Sequence, residues 1–171
     1  MRIAFLSLLW PLLLLASCSF FRCILHACKN EVRISVEGSN VNDGSPLLVD
    51  VVSLRGSDSQ SEILTKVSAY DWFNPPKRIR AKHLERADKV AQWQLEGGVA
   101  TLLSGPREYD GEDREVQVGY LVIFADFKNN KSDDPGEASN SKLILPPEFL
   151  DKKRVIEIEV YGQSIYVSTG S

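Results

Sequence analysis

The stretch RVIEIEVYGQSIYV, residues 154–167, decides the fold class of this chain. Apolar and charged residues alternate along its first half, which places isoleucine and valine on one face of a strand and glutamate on the other. Gly162–Gln163 follows as a two-residue hairpin turn, and residues 164–167 return as a second strand. The apolar face of such a hairpin needs a second layer to cover it, so we predict a mainly β protein.

Similar strand patterns recur along the chain before this hairpin. They are residues 31–37, 46–54, 90–95, 99–103, 116–127 and 142–145, followed by 154–161 and 164–167. The segment 46–54 is apolar on both faces, which predicts a central strand or one with a covered outer face. Residues 108–115 form an acidic loop in this interpretation. Seven or eight short strands with turns between them predict a two-sheet β-sandwich.

One short helix is predicted after the second strand, over about residues 59–70. Ser59 and Glu62 have the spacing of a capping box, and apolar residues follow at helical spacing. Pro75 then disfavours helix at the residue before it. Residues 77–86 leave three alternatives open, namely a strand end, a loop or a second short helix.

The N-terminus has the order of a secretory signal. Arg2 precedes an apolar run that ends near residue 15, shorter than the roughly 20 residues of a spanning helix. Leu-Ala-Ser-Cys, ending at Cys18, resembles the bacterial lipobox, whose cysteine is acylated and becomes the first residue after cleavage. We therefore predict a signal peptide over residues 1–17, a lipidated tether over 18–30 and a sandwich domain over 31–171.

Two features of the predicted anchor stay open. Cys28, followed by polar residues, is the alternative lipidation site, and an ordinary signal peptide with a coincidental cysteine is also possible. Cys23 and Cys28 could also pair with each other in an oxidising periplasm, and the sequence alone does not settle their connectivity. Because Ser19 rather than aspartate follows Cys18, the usual sorting rule favours the outer membrane, with the domain in the periplasm.

Composition argues against several functions. Loss of the leader removes only Arg2, which leaves 19 basic and 23 acidic residues and a net charge of −4, without a concentrated basic block for nucleic acid. The chain has two histidines and shows no cluster of His, Cys or carboxylate ligands for zinc, and His83 is expected at the surface without a nucleophile beside it. We predict a non-catalytic binding protein with no metal and no cofactor except the covalent lipid.

The order of elements resembles the TssJ (SciN) family, the outer-membrane lipoproteins of type VI secretion. After a lipobox, that family has a strand leading into a loop with Asn and Gly, a PxxVxVxxL strand, a short helix, a late strand with an aromatic residue and a final hairpin. The matching segments are residues 36–42, 46–54, 63–70, 119–127 and 155–167. The aromatic-arginine step after the late strand is missing, and residues 77–104 have no clear counterpart.

The resemblance implies a transthyretin-like sandwich that binds the periplasmic tail of a TssM-like inner-membrane subunit through loops at one end. It would thereby anchor the secretion complex to outer-membrane lipid. The candidate partner-binding residues are Gly38, Ser39, Asn40, Val41, Asn42, Asp43, Gly44, Trp72 and Phe73.

Trp72 and Phe73, beside a Pro-Pro turn, either anchor the interface or cap the core beneath the helix. The alternative function is a periplasmic lipoprotein sandwich that binds a carbohydrate or another envelope ligand. Such a protein would show aromatic residues spaced along one exposed sheet face. Inhibition of an envelope enzyme also stays open.

Overall fold

The computed structural model describes residues 30–37, 41–55, 62–84, 89–109, 118–128, 140–150 and 155–168. Within these ranges nine strands form a four-stranded and a five-stranded sheet, which confirms the predicted mainly β, two-sheet architecture. The strands are β1 (Asn30–Glu37), β2 (Leu47–Arg55), β3 (Val90–Glu96), β4 (Val99–Ser104), β5 (Glu108–Tyr109), β6 (Val118–Ala125), β7 (Lys142–Leu145), β8 (Val155–Tyr161) and β9 (Ser164–Ser168). The α-helices are α1 (Glu62–Lys66), α2 (Ala69–Phe73), α3 (Ile79–Leu84) and α4 (Pro147–Leu150).

The two sheets differ in strand direction. The four-stranded sheet has the order β5-β1-β8-β9, with β1 and β8 parallel and the predicted β8–β9 hairpin at one edge. The five-stranded sheet has the order β4-β3-β2-β6-β7 and is antiparallel throughout. The central position of β2 confirms the prediction made from its two apolar faces.

The first core fills the space between the sheets. Alternating residues of the facing strands point into it, including Val49 and Val51 of β2 and Ile156 and Ile158 of β8. Tyr109 of β5 crosses this layer and donates its hydroxyl to the Val51 carbonyl at 3.2 Å. Burial raises the pKa of the Tyr109 phenol, so the hydroxyl stays protonated and can donate.

A second core lies on the outer face of the five-stranded sheet, beneath α1–α3. Val52 of β2 and Phe124 of β6 pack there against Ile63 and other apolar residues of the helical segment. Lys142 of β7 is fully buried, and its ammonium donates to the carbonyls of Ile63 and Leu64 in α1, at 3.2 and 3.0 Å. The helices therefore cover the sheet face that the apolar β2 pattern required.

The helical region differs from the single predicted helix. α1 ends at Lys66 and α2 begins at Ala69, because Ser68 caps the new helix by accepting a 3.0 Å hydrogen bond from the Asp71 N–H. The predicted end before Pro75 is confirmed, with Asn74 as the C-cap. Of the three alternatives for residues 77–86, the structure shows a short helix, α3.

A second difference lies in the predicted acidic loop over residues 108–115. Its first two residues form β5, which pairs with Asn30 and Glu31 of β1. A two-residue strand is too short to show an alternating pattern, and the burial of Tyr109 is what holds it in place.

Candidate functional site

The predicted partner loop leaves the end of β1, and the structure describes its second half. Gly38, Ser39 and Asn40 lie outside the described residues. Over Val41–Gly44 the chain makes a tight turn in which Asn42, Asp43 and Gly44 have positive φ angles of 54°, 55° and 74°. Val41 and Asn42 are buried, whereas Asp43 and Gly44 are exposed.

Asn42 joins three loops at this end of the sandwich. Its backbone N–H donates to the Gly162 carbonyl in the β8–β9 turn at 3.2 Å, and its side-chain amide donates to the Pro46 carbonyl at 3.2 Å. Its side-chain oxygen accepts from the Lys128 N–H at 3.0 Å. Asparagine tolerates the left-handed conformation and bonds nearby backbone, so the residue type suits the position. Asn42 therefore fixes the position of Asp43, and its burial corrects its predicted role as a direct contact.

The β3–β4 turn lies beside this loop. Gly44 and Ser45 line a gap with Glu96, Gly97 and Gly98 that measures about 10 Å³, near the lower limit for one water molecule. The two turns thus form a closed surface rather than a ligand pocket. We call the exposed residues Glu37, Asp43, Gly44, Glu96, Gly97 and Gly98 the loop-end surface.

The loop-end surface is acidic, since three of its six residues are carboxylates. Glu37 belongs to it because Glu37 pairs with Tyr161, directly before the turn that Asn42 binds. Gln163 lies in the same turn, and its buried side-chain oxygen accepts no hydrogen bond within the described structure. A partner that covers this end would have to offer hydrogen-bond donors and positive charge.

Trp72 belongs to the second core and not to the surface. It has no exposed area, and its ring stacks on Phe124 with the centroids 4.7 Å apart and the planes at 9°. Its indole Nε1 donates to Asp50 Oδ2 at 2.8 Å. The sequence left two roles open for Trp72, an interface anchor or a cap of the core beneath the helix, and the structure shows the second. Its assignment as a partner contact is corrected, as is that of the buried Val41.

Phe73 is half-buried, and its ring makes a cation–π contact with Arg80. The guanidinium carbon of Arg80 lies 5.2 Å from the centre of its ring. Arg80 also forms a bidentate ion pair with Asp50, in which Nε donates to Oδ2 at 2.7 Å and Nη2 donates to Oδ1 at 3.1 Å. Asp50 is fully buried in the middle of β2. Sequence reasoning missed this pair, although a single carboxylate in the apolar segment 46–54 was a signal that a partner must exist.

Asp126 connects the patch formed by Phe73 and Arg80 with the loop-end surface. Asp126 is an exposed residue whose carboxyl is partly desolvated; this partial desolvation raises the pKa of the carboxyl, the Arg80 charge opposes that shift, and the negative Asp50 adds to it. Asp126 donates its N–H to the Leu48 carbonyl and lies two residues before Lys128, whose N–H binds Asn42. The two parts of the predicted site therefore adjoin each other along the chain that follows β6.

The raised pKa of Asp126 predicts a pH-dependent loss of stability. A carboxyl whose pKa is higher in the folded state stabilises the fold while it is protonated, and this contribution is lost as the pH rises through the folded pKa. We expect wild-type protein to become less stable relative to Asp126→Asn as the pH rises from about 4 to 7. Urea denaturation of both proteins across this range measures the difference, and a difference independent of pH would contradict the assignment.

Neither a metal cluster nor a spanning helix occurs in the part of the chain that the structure describes. No three His, Cys, Asp or Glu side chains are grouped within those ranges to hold a metal ion, and no helix in them is long and apolar enough to cross a membrane. His83, expected at the surface, lies half-buried with its ring 5.5 Å from that of Trp72. The predicted lipidation sites, Cys18 and its alternative Cys28, lie outside the described residues.

The fold and the loop-end surface together define a two-sheet β-sandwich with an acidic surface at one end. No protein-family model matches the sequence, and no curated protein matches it. A chain in the structure described as "T6SS protein TssM C-terminal domain (869-1107) from EAEC" is similar, with a TM-score of 0.50 and 13% identity over 83% of this chain and 98% of that chain.

Two further solved structures of type VI secretion proteins are similar. A chain of a "Type VI membrane complex" has a TM-score of 0.49 and 13% identity over 84% of this chain and 98% of its own. Serratia marcescens Lip, a membrane-bound component of the type VI secretion system, has a TM-score of 0.48 and 14% identity over 86% of this chain and 99% of its own. At such identities the likeness is one of fold alone.

Proposed function

We propose that this chain is a non-catalytic lipoprotein that anchors a type VI secretion membrane complex to the outer membrane. It binds the periplasmic part of a TssM-like inner-membrane subunit through the loop-end surface. The observation that supports this most directly is the turn built on Asn42, which is hydrogen-bonded to two other loops, the β8–β9 turn and the segment after β6, and presents Asp43 and Gly44. A preordered loop loses little conformational entropy on binding, so it suits a stable contact.

The identity of the partner rests on two further observations. The order of the sequence elements resembles that of the TssJ family, and the fold is similar to that of a chain in a structure that concerns the TssM C-terminal domain. The acidic loop-end surface requires a basic surface on the partner, and charge complementarity of this kind accelerates association and weakens with salt.

Attachment to the membrane rests on acylation of Cys18. Two or more acyl chains hold a protein stably at a bilayer, whereas one chain does so only marginally. We expect Cys18→Ala to move the protein from the membrane fraction to the soluble periplasmic fraction. Fractionation on a density gradient checks this, with Cys28→Ala as the matched variant. Release by Cys28→Ala alone would place the lipid on Cys28 instead.

A charge reversal at Asp43 tests the contact surface. Deleting the whole loop would remove the buried Val41 and Asn42, so one exposed substitution is the cleaner change. We expect Asp43→Lys to reduce capture of the inner-membrane subunit by about ten-fold or more, since like charges facing each other cost several kcal/mol. Affinity capture of the tagged, full-length protein from its own envelope, followed by mass spectrometry, measures this.

Glu108→Lys is the matched control for that experiment. Glu108 is exposed and pairs with Glu31 at the opposite end of β1. Its replacement by lysine changes the charge by the same amount as Asp43→Lys, but away from the loop-end surface. We expect this variant to capture as wild type does. Equal capture by both variants would remove Asp43 from the contact.

One observation favours the alternative of a ligand-binding sandwich. Tyr161 and Tyr166 are 61% and 51% exposed on the outer face of the four-stranded sheet, where Tyr166 pairs with Glu159. Two tyrosines near a carboxylate are the kind of exposed aromatic pair that sugar rings bind. If the wild-type envelope capture recovers glycan fragments alone, and Tyr161→Ala with Tyr166→Ala abolishes that recovery, this second function replaces the first.

A further inference from the structure

A basic stretch forms the turn before α3 and continues along that helix. Residues 77–89 contain six basic and two acidic residues, a net charge of +4, whereas the predicted mature chain has a net charge of −4. Lys77, Arg78 and Lys82 of this stretch are exposed. We call these three residues the basic surface.

The carboxylates around the basic surface neutralise it only in part. Lys77 forms an ion pair with Asp71 of α2. Within the part of the chain that the structure describes, neither Arg78 nor Lys82 forms an ion pair. Two exposed cations therefore keep their full charge for an external anion.

The local structure holds these two cations together at a cost to the fold. The Lys82 N–H donates to the Arg78 carbonyl at 3.3 Å, so the two residues lie one helical turn apart on the same side. Like charges at this spacing repel each other. Arg78 also has a φ of +52°, a left-handed conformation that is unfavourable for a residue with a Cβ. An anionic ligand would offset the repulsion between the two side chains.

The basic stretch leads away from the loop-end surface. After α3 the chain rejoins the five-stranded sheet at Lys89, whose carbonyl accepts from the Ser53 N–H at 2.7 Å, near the far end of β2. β1 begins at this same end, because Asn30 pairs with Tyr109, whose hydroxyl binds the Val51 carbonyl. The acidic surface thus lies at the end where β1 finishes, and the basic stretch leads to the end where β1 starts.

The predicted tether limits the distance between the domain and a bilayer. Eleven residues separate the proposed acylation site Cys18 from Asn30, so the chain spans at most about 40 Å between them. A surface held this close to a bilayer meets the headgroups at a high effective concentration. Each Lys or Arg near an anionic bilayer strengthens binding about five-fold. Phospholipid headgroups are therefore the anions that the tether brings within reach of the basic surface.

We propose that the basic surface binds anionic phospholipid headgroups of the bilayer that holds the acyl anchor. This inference rests on the lipid attachment proposed above and adds an orientation to it. Arg78 and Lys82 hold the helical side of the domain against the bilayer, and Lys77 adds its charge while paired with Asp71. The loop-end surface stays accessible to the inner-membrane subunit.

Vesicle co-sedimentation tests this contact without the acyl anchor. The protein is the complete mature chain, residues 18–171, carrying Cys18→Ser so that no lipid is attached. We expect it to partition at least about ten-fold more strongly to vesicles of phosphatidylglycerol and phosphatidylethanolamine than to phosphatidylcholine, and to dissociate as salt is raised. The double variant Arg78→Glu with Lys82→Glu should lower partition to the anionic vesicles about ten-fold or more. Equal partition of the unaltered chain to both kinds of vesicle would overturn the proposal.

The matched control makes the same change of net charge elsewhere. Arg33 and Lys128 are exposed and lie outside the basic surface, so Arg33→Glu with Lys128→Glu should leave vesicle binding nearly unchanged. Circular dichroism shows that both double variants fold, and the charge-conserving pair Arg78→Lys with Lys82→Arg should bind as the unaltered chain does. An equal loss in both double variants would mean that only the net charge matters, which overturns the proposal.

Capture of the inner-membrane subunit separates this inference from the proposed function. The acylated full-length protein with Arg78→Glu and Lys82→Glu should still capture that subunit, because the loop-end surface is intact. Lost capture with unchanged vesicle binding would assign the basic surface to a protein partner and overturn the bilayer contact. Failure of the Cys18→Ala fractionation would contradict the anchor while leaving the vesicle result to stand by itself.

Discussion

Replacing Arg80 with alanine should lower the free energy of unfolding by about 3–5 kcal/mol. The substitution leaves the carboxylate of Asp50 buried in β2 without its cation, and only the Trp72 indole remains among the donors described for it. Burying an unpaired charge is one of the few single changes with so large an effect. Urea denaturation followed by circular dichroism measures the loss.

Two comparisons isolate the ion pair from other effects of the substitution. Lys82→Ala changes an exposed cation of the same helix, α3, and should alter stability by less than about 0.5 kcal/mol. The double variant Asp50→Leu with Arg80→Met should recover much of the loss, since an apolar pair of similar volume replaces the buried ions. An Arg80→Ala protein as stable as the Lys82→Ala protein would contradict the assigned role of the pair.

Replacing Gly105 with alanine should cost about 3 kcal/mol or more of stability. Gly105 lies between β4 and β5, where the chain crosses from one sheet to the other, and its φ is +90°. A Cβ there would lie 2.7 Å from the Ala91 Cα and closer still to the Val90 carbonyl oxygen. β3 cannot move aside easily because it is hydrogen-bonded to β2 and β4.

Gly98→Ala is the matched control for this clash. Its φ of +82° is almost the same, but nothing lies within 4 Å of the position of its Cβ. The free energy of unfolding of that variant should fall by only about 1–2 kcal/mol, the cost of a positive φ for a residue with a Cβ. Thermal unfolding of both proteins gives the comparison, and equal losses would show that the close approach to β3 does not constrain the chain.

The sheets were predictable from the sequence because local alternation survives in nearly every strand. The β8–β9 hairpin and the central β2 follow from patterns of a few residues that need no knowledge of their neighbours. β5 was missed because two residues cannot show a period. The break at Ser68 was missed because the apolar spacing continues across it, while the capping bond depends on one hydroxyl.

The site was less predictable because its residues act through distant partners. Asn42 was expected to contact the partner directly, and only the bonds to Pro46, Lys128 and Gly162 show that it positions Asp43. Trp72 could be assigned to the core only once Asp50, 22 residues earlier, was seen to accept a hydrogen bond from its indole N–H. The edge position of β4 likewise depends on the order of strands in the sheet.

Site-specific photo-crosslinking from position 43 in growing cells tests the central claim most directly. A benzoylphenylalanine in place of Asp43 should form an adduct with a large inner-membrane protein that has a periplasmic part, and the same probe in place of Glu108 should not. Mass spectrometry of the adduct identifies the partner and the segment contacted. A folded, membrane-bound protein that forms no such adduct from position 43, or forms it equally from position 108, would contradict the proposal that the loop-end surface binds the secretion complex.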